Sequence, residues 1–373
     1  MKDSERGIAL AVAILALAVV AALAAGMFFA GVLEQRVAEN GRRLQQAFGL
    51  AEVGIGWQVA NWEPGTHNTI PVYPAGTFTI APRSMASGTW SGRVLKLNDN
   101  LYWIEILAED SASGGGAGGR ARQRIGLVAR VMPLPVDIRA ALTVEGTANL
   151  SGNARVDGND QVPAGWTSCA PPPSPPDSAQ PGIEATGPVT TPGGAVVVGA
   201  LPPPDARVSA AGAAADYDQL AAWATITLPG GTYRTQPTYQ NGACDRSDPT
   251  NWGDGRARNA PCADHFPVVH IQGDATLVGL QGQGVLLVDG DLRIQGAYEF
   301  FGVIVVRGWL RVADDGSTDA RLWGGVMAGN AELRLATPGG QAVVNHSKCV
   351  IQQVLQMTGR PAPLVSRGWG QLY

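Results

Sequence analysis

The sequence predicts an α+β, mostly-β protein. A long N-terminal helix crosses a membrane and becomes amphipathic, a small antiparallel sheet follows, and then a β-solenoid-like domain with a long Pro/Gly-rich insertion. Three observations predict this. An uncharged apolar run extends from Ile8 to Leu33. The 373 residues include 49 glycines and 26 prolines, too many for a helical protein and without a collagen period, which suits short strands between turns. Near the C-terminus an eleven-residue phrase occurs three times. Charged residues are 16% and the net charge is −4, so no basic face points to nucleic acid. An apolar content of 45% argues against global disorder.

The helix comes first. As a helix the Ile8–Leu33 run is about 39 Å long, enough to cross a hydrocarbon core of ~30 Å with some tilt. In lipid a helix satisfies its own backbone hydrogen bonds, which a loop cannot do. The rival is a cleaved secretory signal ending at Ala22-Leu23-Ala24. Against it, the apolar run continues through Met27, Phe28, Phe29 and Leu33 with no polar break. Beyond it Leu33, Val37, Leu44, Phe48 and Ile55 recur at spacings of four and seven, one apolar stripe on a continuing helix. Glu34, Arg36, Glu39, Arg42, Arg43 and Glu52 occupy other positions of the same helix. The helix is expected over 8–56.

From 57 to 136 the pattern turns to strands. Thr77–Ile80 and Gly92–Leu97 alternate, Asn98-Asp99-Asn100 makes a turn, and Leu101–Leu107 and Arg122–Val131 follow around a glycine-rich tip at Ser111–Gly119. This sheet is expected to bury one face against the helix stripe.

The third part, 137–350, carries the repeats. Gly284–Ile294 aligns with Gly302–Val312 at an offset of 18 and with Gly325–Leu335 at a further 23, and a weaker copy begins at Val268. Such phrases read as stacked rungs, because one rung cannot bury its apolar face alone. Ile271, Val288 and Val306 are expected in one inner column, and Leu292, Leu310 and Leu333 in another. An irregular insertion is expected at about 158–266, and a tail at 351–373.

Four cysteines, Cys169, Cys244, Cys262 and Cys349, suggest disulfides outside the cytoplasm, with three possible pairings. Cys244 and Cys262 flank a polar loop that would gain from a staple. Cys262 with His265 is the competing metal reading, but the spacing fits no zinc pattern. Arg293, Arg311 and Arg334 form a candidate exposed column for an acidic glycan or partner. Asp289 and Asp291 share a strand face, yet the matching positions in the next rungs supply no carboxylate pair. The run Asp314–Asp319 fails the calcium-loop spacing. His346 and Ser347 stand without a G-x-S-x-G, Walker or H-E-x-x-H motif. No catalytic residue, metal or cofactor is expected.

A resemblance adds to this. Arg6-Gly7 before an apolar run resembles a type IV prepilin leader, which implies cleavage after Gly7 and a new N-terminus at Ile8. The stretches Leu33–Arg36, Leu44–Phe48 and Ala51–Gly54 resemble the PilX-like pilus-assembly family. Major pilins carry glutamate at the fifth mature position, which is Val12 here, so the resemblance favours a minor component. Gly282–Leu292, Gly324–Met327, His346–Val350 and Arg367–Tyr373 resemble the C-terminal part of large exported proteins with the same N-terminus. The resemblance implies a leader at 1–7, a pilin-like head at 57–136, other pilins or pilus-assembly proteins as partners, and a place in the bacterial inner membrane with the body in the periplasm or on a surface pilus. The alternatives are a membrane-anchored adhesin with a glycan or surface ligand, and a tethered polysaccharide enzyme.

Overall fold

The computed structural model describes residues 4–111, 120–167, 169, 179–200, 217–312, 319–335, 340–364 and 368–372. They form two compact units, one built from 1–62, 70–130 and 361–373, the other from 63–69 and 131–360.

The first unit starts with helix α1, Ser4–Ala60, 57 residues without a break. From Leu10 onward its first half exposes its apolar side chains: Leu10 is 65% and Phe28 69% exposed. Burial starts only at Ala47 and continues at Leu50, Ala51, Ile55 and Gln58, the three-to-four spacing of one helix face. Of the expected stripe only Ile55 is fully buried; Leu33, Val37 and Leu44 are exposed, because the sheet reaches no further along the helix. Small residues set the approach: a Cβ on Gly54 would stand 2.9 Å from Ile106 and 3.0 Å from Trp90.

That sheet contains β1 (Phe78–Met85), β2 (Gly88–Lys96), β3 (Leu101–Asp110) and β4 (Arg122–Met132), paired antiparallel in chain order. Strict alternation in β3 puts Tyr102, Ile104, Ile106 and Ala108 inside, with Trp103 and Glu105 outside. On the outer face Glu105 meets Arg93 at 3.0 Å and Arg124 at 3.6 Å. Most of the glycine-rich tip lies outside the described residues.

The second unit begins with a short helix, α2 (Pro64–His67), and is dominated by a parallel sheet of 13 strands among the described residues. In chain order these are β5 (Leu142–Val144), β6 (Ala148–Gly152), β7 (Ala154–Asp157), β8 (Ile183–Ala185), β9 (Val189–Thr190) and β10 (Val196–Val198). Helix α3 (Tyr217–Ala221), β11 (Ile226–Tyr233) and a separate small hairpin, β12 (Tyr239–Gln240) with β13 (Ala243–Cys244), come next. The repeat region supplies β14 (Val268–Val278), β15 (Gln281–Val288), β16 (Leu292–Gln295), β17 (Ala297–Val312), β18 (Asp319–Leu335) and β19 (Gln341–His346). The expected irregular insertion thus contains strands of its own. The expected tail continues helix α4 (Lys348–Thr358) and then forms β20 (Arg360–Pro363) and β21 (Trp369–Leu372), which join the antiparallel sheet beside β4.

Register shows which repeat alignments hold. Ile271, Val288 and Val306 stand opposite one another on β14, β15 and β17, as expected. Gly284 pairs with Gly302 at the expected offset of 18, but Gly302 pairs with Gly324, not Gly325. A bulge between Val306 and Trp309 shifts the register again, so Leu310 faces Ala331, and Leu333 faces Val312. The second column is therefore Leu292, Leu310 and Ala331. One side of the strands packs Leu142, Val144, Leu286, Val288, Ile304 and Val306 into one core. On another, Val285, Leu287, Val303 and Val305 pack with Trp166, Tyr217 and Val354. A glycine column, Gly284, Gly302 and Gly324 at φ +107°, +155° and +127°, lets neighbouring strands come this close.

Candidate functional site

Three regions could carry function: the uncovered helix, the stapled loop and the polar side of the parallel sheet.

On α1, Gly7 and Ile8 lie within the helical backbone. The helix is long and apolar enough to cross a membrane. Just above its packed segment Glu39 pairs with Arg43 at 2.5 Å. Arg42, Arg43, Gln46, Ser87, Asp110 and Ser111 line a polar cleft of about 330 Å³. The Asp110 carboxylate accepts the Ala121 N–H at 2.8 Å, so an internal partner occupies that acid.

The cysteines pair as Cys244–Cys262 and Cys169–Cys349. Inside the first loop the Asn251 side chain, fully buried, donates to the carbonyls of Thr238 at 3.0 Å and Asp245 at 2.7 Å. His265 bonds through Nε2 to the Asn251 carbonyl at 3.1 Å. Burial, with Arg246 nearby, pushes its pKa down to about 4, so the neutral ring donates from Nε2. The loop is held to the sheet by Gln281, which donates to Asp254 at 2.8 Å, and by Arg256, 2.6 Å from Glu299. Cys262 is consumed by its disulfide. Among the described residues no three His, Cys, Asp or Glu side chains gather into a metal-binding group.

The arginine column is only partly assembled. Arg293 and Arg311 are register neighbours, but the next place belongs to Glu332, and Arg334 pairs with Ser151 of β6. The two register shifts that moved Leu333 moved Arg334 with it. Arg311 lies 2.5 Å from Asp291 and 3.7 Å from Glu332, and Arg334 lies 3.6 Å from Glu332. The face is mixed in charge and its cations are largely answered by its own acids.

The aspartates have structural partners. Asp274 accepts the Asp291 N–H at 2.8 Å, Asp291 accepts the Trp309 N–H at 2.9 Å, and Asn330 accepts the Thr147 N–H at 2.9 Å. The sequence shows the same 17-residue offset between Asp274 and Asp291 that separates Val268 from Val285, a signal the repeat contained. Asp289 accepts from His270 Nε2 at 2.9 Å. Burial alone would raise the Asp289 carboxyl, but the His270 bond, the nearby Tyr217 hydroxyl and Arg307 hold it below the usual range. The Arg307 guanidinium sits 4.3 Å from the Tyr217 ring centre and 2.7 Å from Asp218. Nothing in the sequence marked Tyr217 as a neighbour of His270.

Ser347 caps α4, its hydroxyl accepting from the Val350 N–H at 3.4 Å. His346 is buried, its Nδ1 meets no hydrogen-bond partner among the described residues, and burial lowers its pKa. Asp319, the last of the acidic run, pairs with Arg321; the rest of that run lies outside the described residues.

A helix that is apolar and uncovered over its first part and packed on an antiparallel sheet over its last fits a membrane-anchored protein. Residues 6–55 match the family model described as PilX N-terminal, so the chain carries a PilX-like type IV pilus N-terminal region. Comparison with curated proteins finds no match, and no solved structure matches.

Proposed function

We propose that this protein is a minor-pilin-like component of a type IV pilus or a related envelope filament. It would be anchored in the inner membrane by α1, with both units on the periplasmic side. Other pilins or pilus-assembly proteins join it through the apolar surface of α1. The parallel sheet is read as a short β-solenoid that serves as a non-catalytic contact module, with no cofactor. One observation carries the reading: most of the segment that matches the pilus family, from Leu10 to Leu44, is also the stretch whose large apolar side chains the described residues leave bare. Exposed apolar area of this extent is costly in water and is covered by lipid or by other helices. Val12, where major pilins have glutamate, supports the minor role.

The test is the mature N-terminus, read by mass spectrometry on protein made in a host with a prepilin peptidase. The expected terminus is Ile8. An intact Met1 leaves a tethered adhesin as the better reading, and a terminus near Ala24 removes the anchor.

A further inference from the structure

In the parallel sheet the last strands along the chain pair with the earliest ones. From β11 to β14, from β14 to both β15 and β16, from these to β17 and from β17 to β18, the pairing advances along the chain. What β18 then meets is the start of the unit. Val326 of β18 pairs with Leu142 of β5, Leu333 with Leu150 of β6, and Val344 of β19 with Val156 of β7. Beyond these, among the described residues, β8, β9 and β10 pair only with β5, β6 and β7. Among the described residues the strands of 142–198 therefore have one sheet neighbour besides themselves, the segment 319–346, and it is the last of this parallel sheet to be made.

Alone, 142–198 would be two tiers of strands from two to five residues long. Stacked repeats this short need a third neighbour to bury a core. The same C-terminal stretch also completes the first unit, through β20 and β21 beside β4. It carries Cys349, bonded to Cys169 across 180 residues, whereas Cys244 and Cys262 are 18 apart.

We propose that residues 319–372 act as a closure segment. The region 142–198 stays open until that segment has crossed the membrane, and the Cys169–Cys349 bond then locks the closed state. This rests on the reading that the body is exported. In the locking step the two thiols lose two electrons and two protons to a disulfide-bearing oxidant of the envelope, which leaves as its dithiol.

Pulse-labelled hydrogen exchange during refolding of the full chain in detergent tests the order. Residues 268–312 gain protection first, and 142–198 gains it in the same phase as 319–346. Earlier protection of 142–198 overturns the proposal. Val344→Ala, a buried truncation in β19, is expected to lower protection of 142–157 and 319–346 together, by about tenfold or more, with β14 and β15 unchanged. An unaltered 142–157 overturns the proposal as well. Export is tested separately, with full chains stalled so that residues after 318 remain in the channel. Cys169 should then react with an alkylating reagent while Cys244 and Cys262 do not; a protease-resistant 142–198 in the stalled chain sinks the idea. Loss of cleavage at Gly7 would leave all of these results in place, so the two readings can fail independently.

Discussion

Gly302→Ala is the sharpest test of the strand stacking. Gly302 has φ +155°, and a Cβ there would lie 1.8 Å from the Gly284 carbonyl oxygen, where ordinary contact begins at 3.4 Å. The methyl must gain about 1.6 Å, a third of the ~4.8 Å between paired strands, which the β15–β17 ladder cannot give without losing hydrogen bonds. A strained backbone costs about 1–3 kcal/mol and overpacking about 1–3 more, for a total of about 2–6 kcal/mol. Against the 5–15 kcal/mol typical of a domain this is a large share. Hydrogen exchange in a urea series, read on peptides from β15 and β17, measures it. The control is Gly41→Ala, where a Cβ meets nothing within 4 Å and helix propensity gains up to about 1 kcal/mol. A loss below about 1 kcal/mol on 281–312, or an equal loss on β1–β4, would refute the reasoning.

Three further predictions follow from the same geometry. His265, held neutral to about pH 4 by burial, takes up its proton in the unfolded chain near pH 6.5; stability of the second unit should therefore fall as pH drops from 6.5 to 4, by about 3 kcal/mol in all, and His265→Gln should flatten that slope in urea titrations. Replacing Cys244 and Cys262 together by serine should cost about 3 kcal/mol from the freed loop, seen as earlier proteolysis between 234 and 267, while the β1–β4 sheet keeps its exchange protection. Asp291→Asn keeps an acceptor for the Trp309 N–H and should cost well under 1 kcal/mol, whereas Asp291→Ala strands that donor and should cost about 1–3 kcal/mol; equal costs by urea denaturation would contradict the ladder.

Local pattern settled a good part of this molecule. The Ile8–Leu33 run required a membrane-length helix, because no other backbone conformation satisfies itself in lipid. Alternation in Leu101–Leu107 required a strand with one buried face. The shared offset of 18 between Gly284 and Gly302 matched the pairing of their strands, each residue of the repeated phrase standing opposite its counterpart.

Tertiary structure decided the rest. A one-residue offset already present at Gly302–Gly324 and a bulge after Val306 have no mark in composition, yet together they replaced Leu333 with Ala331 in the inner column and took Arg334 out of the arginine row. Leu33, Val37 and Leu44 fit the apolar stripe as well as Ile55 does, but only the reach of the sheet determined which of them is buried. The Cys169–Cys349 bond, and the meeting of β18 and β19 with β5, β6 and β7, join residues 180 or more positions apart. Periodicity reports which side of an element is apolar, whereas contacts at that distance depend on how the whole chain closes, and no local window contains that information.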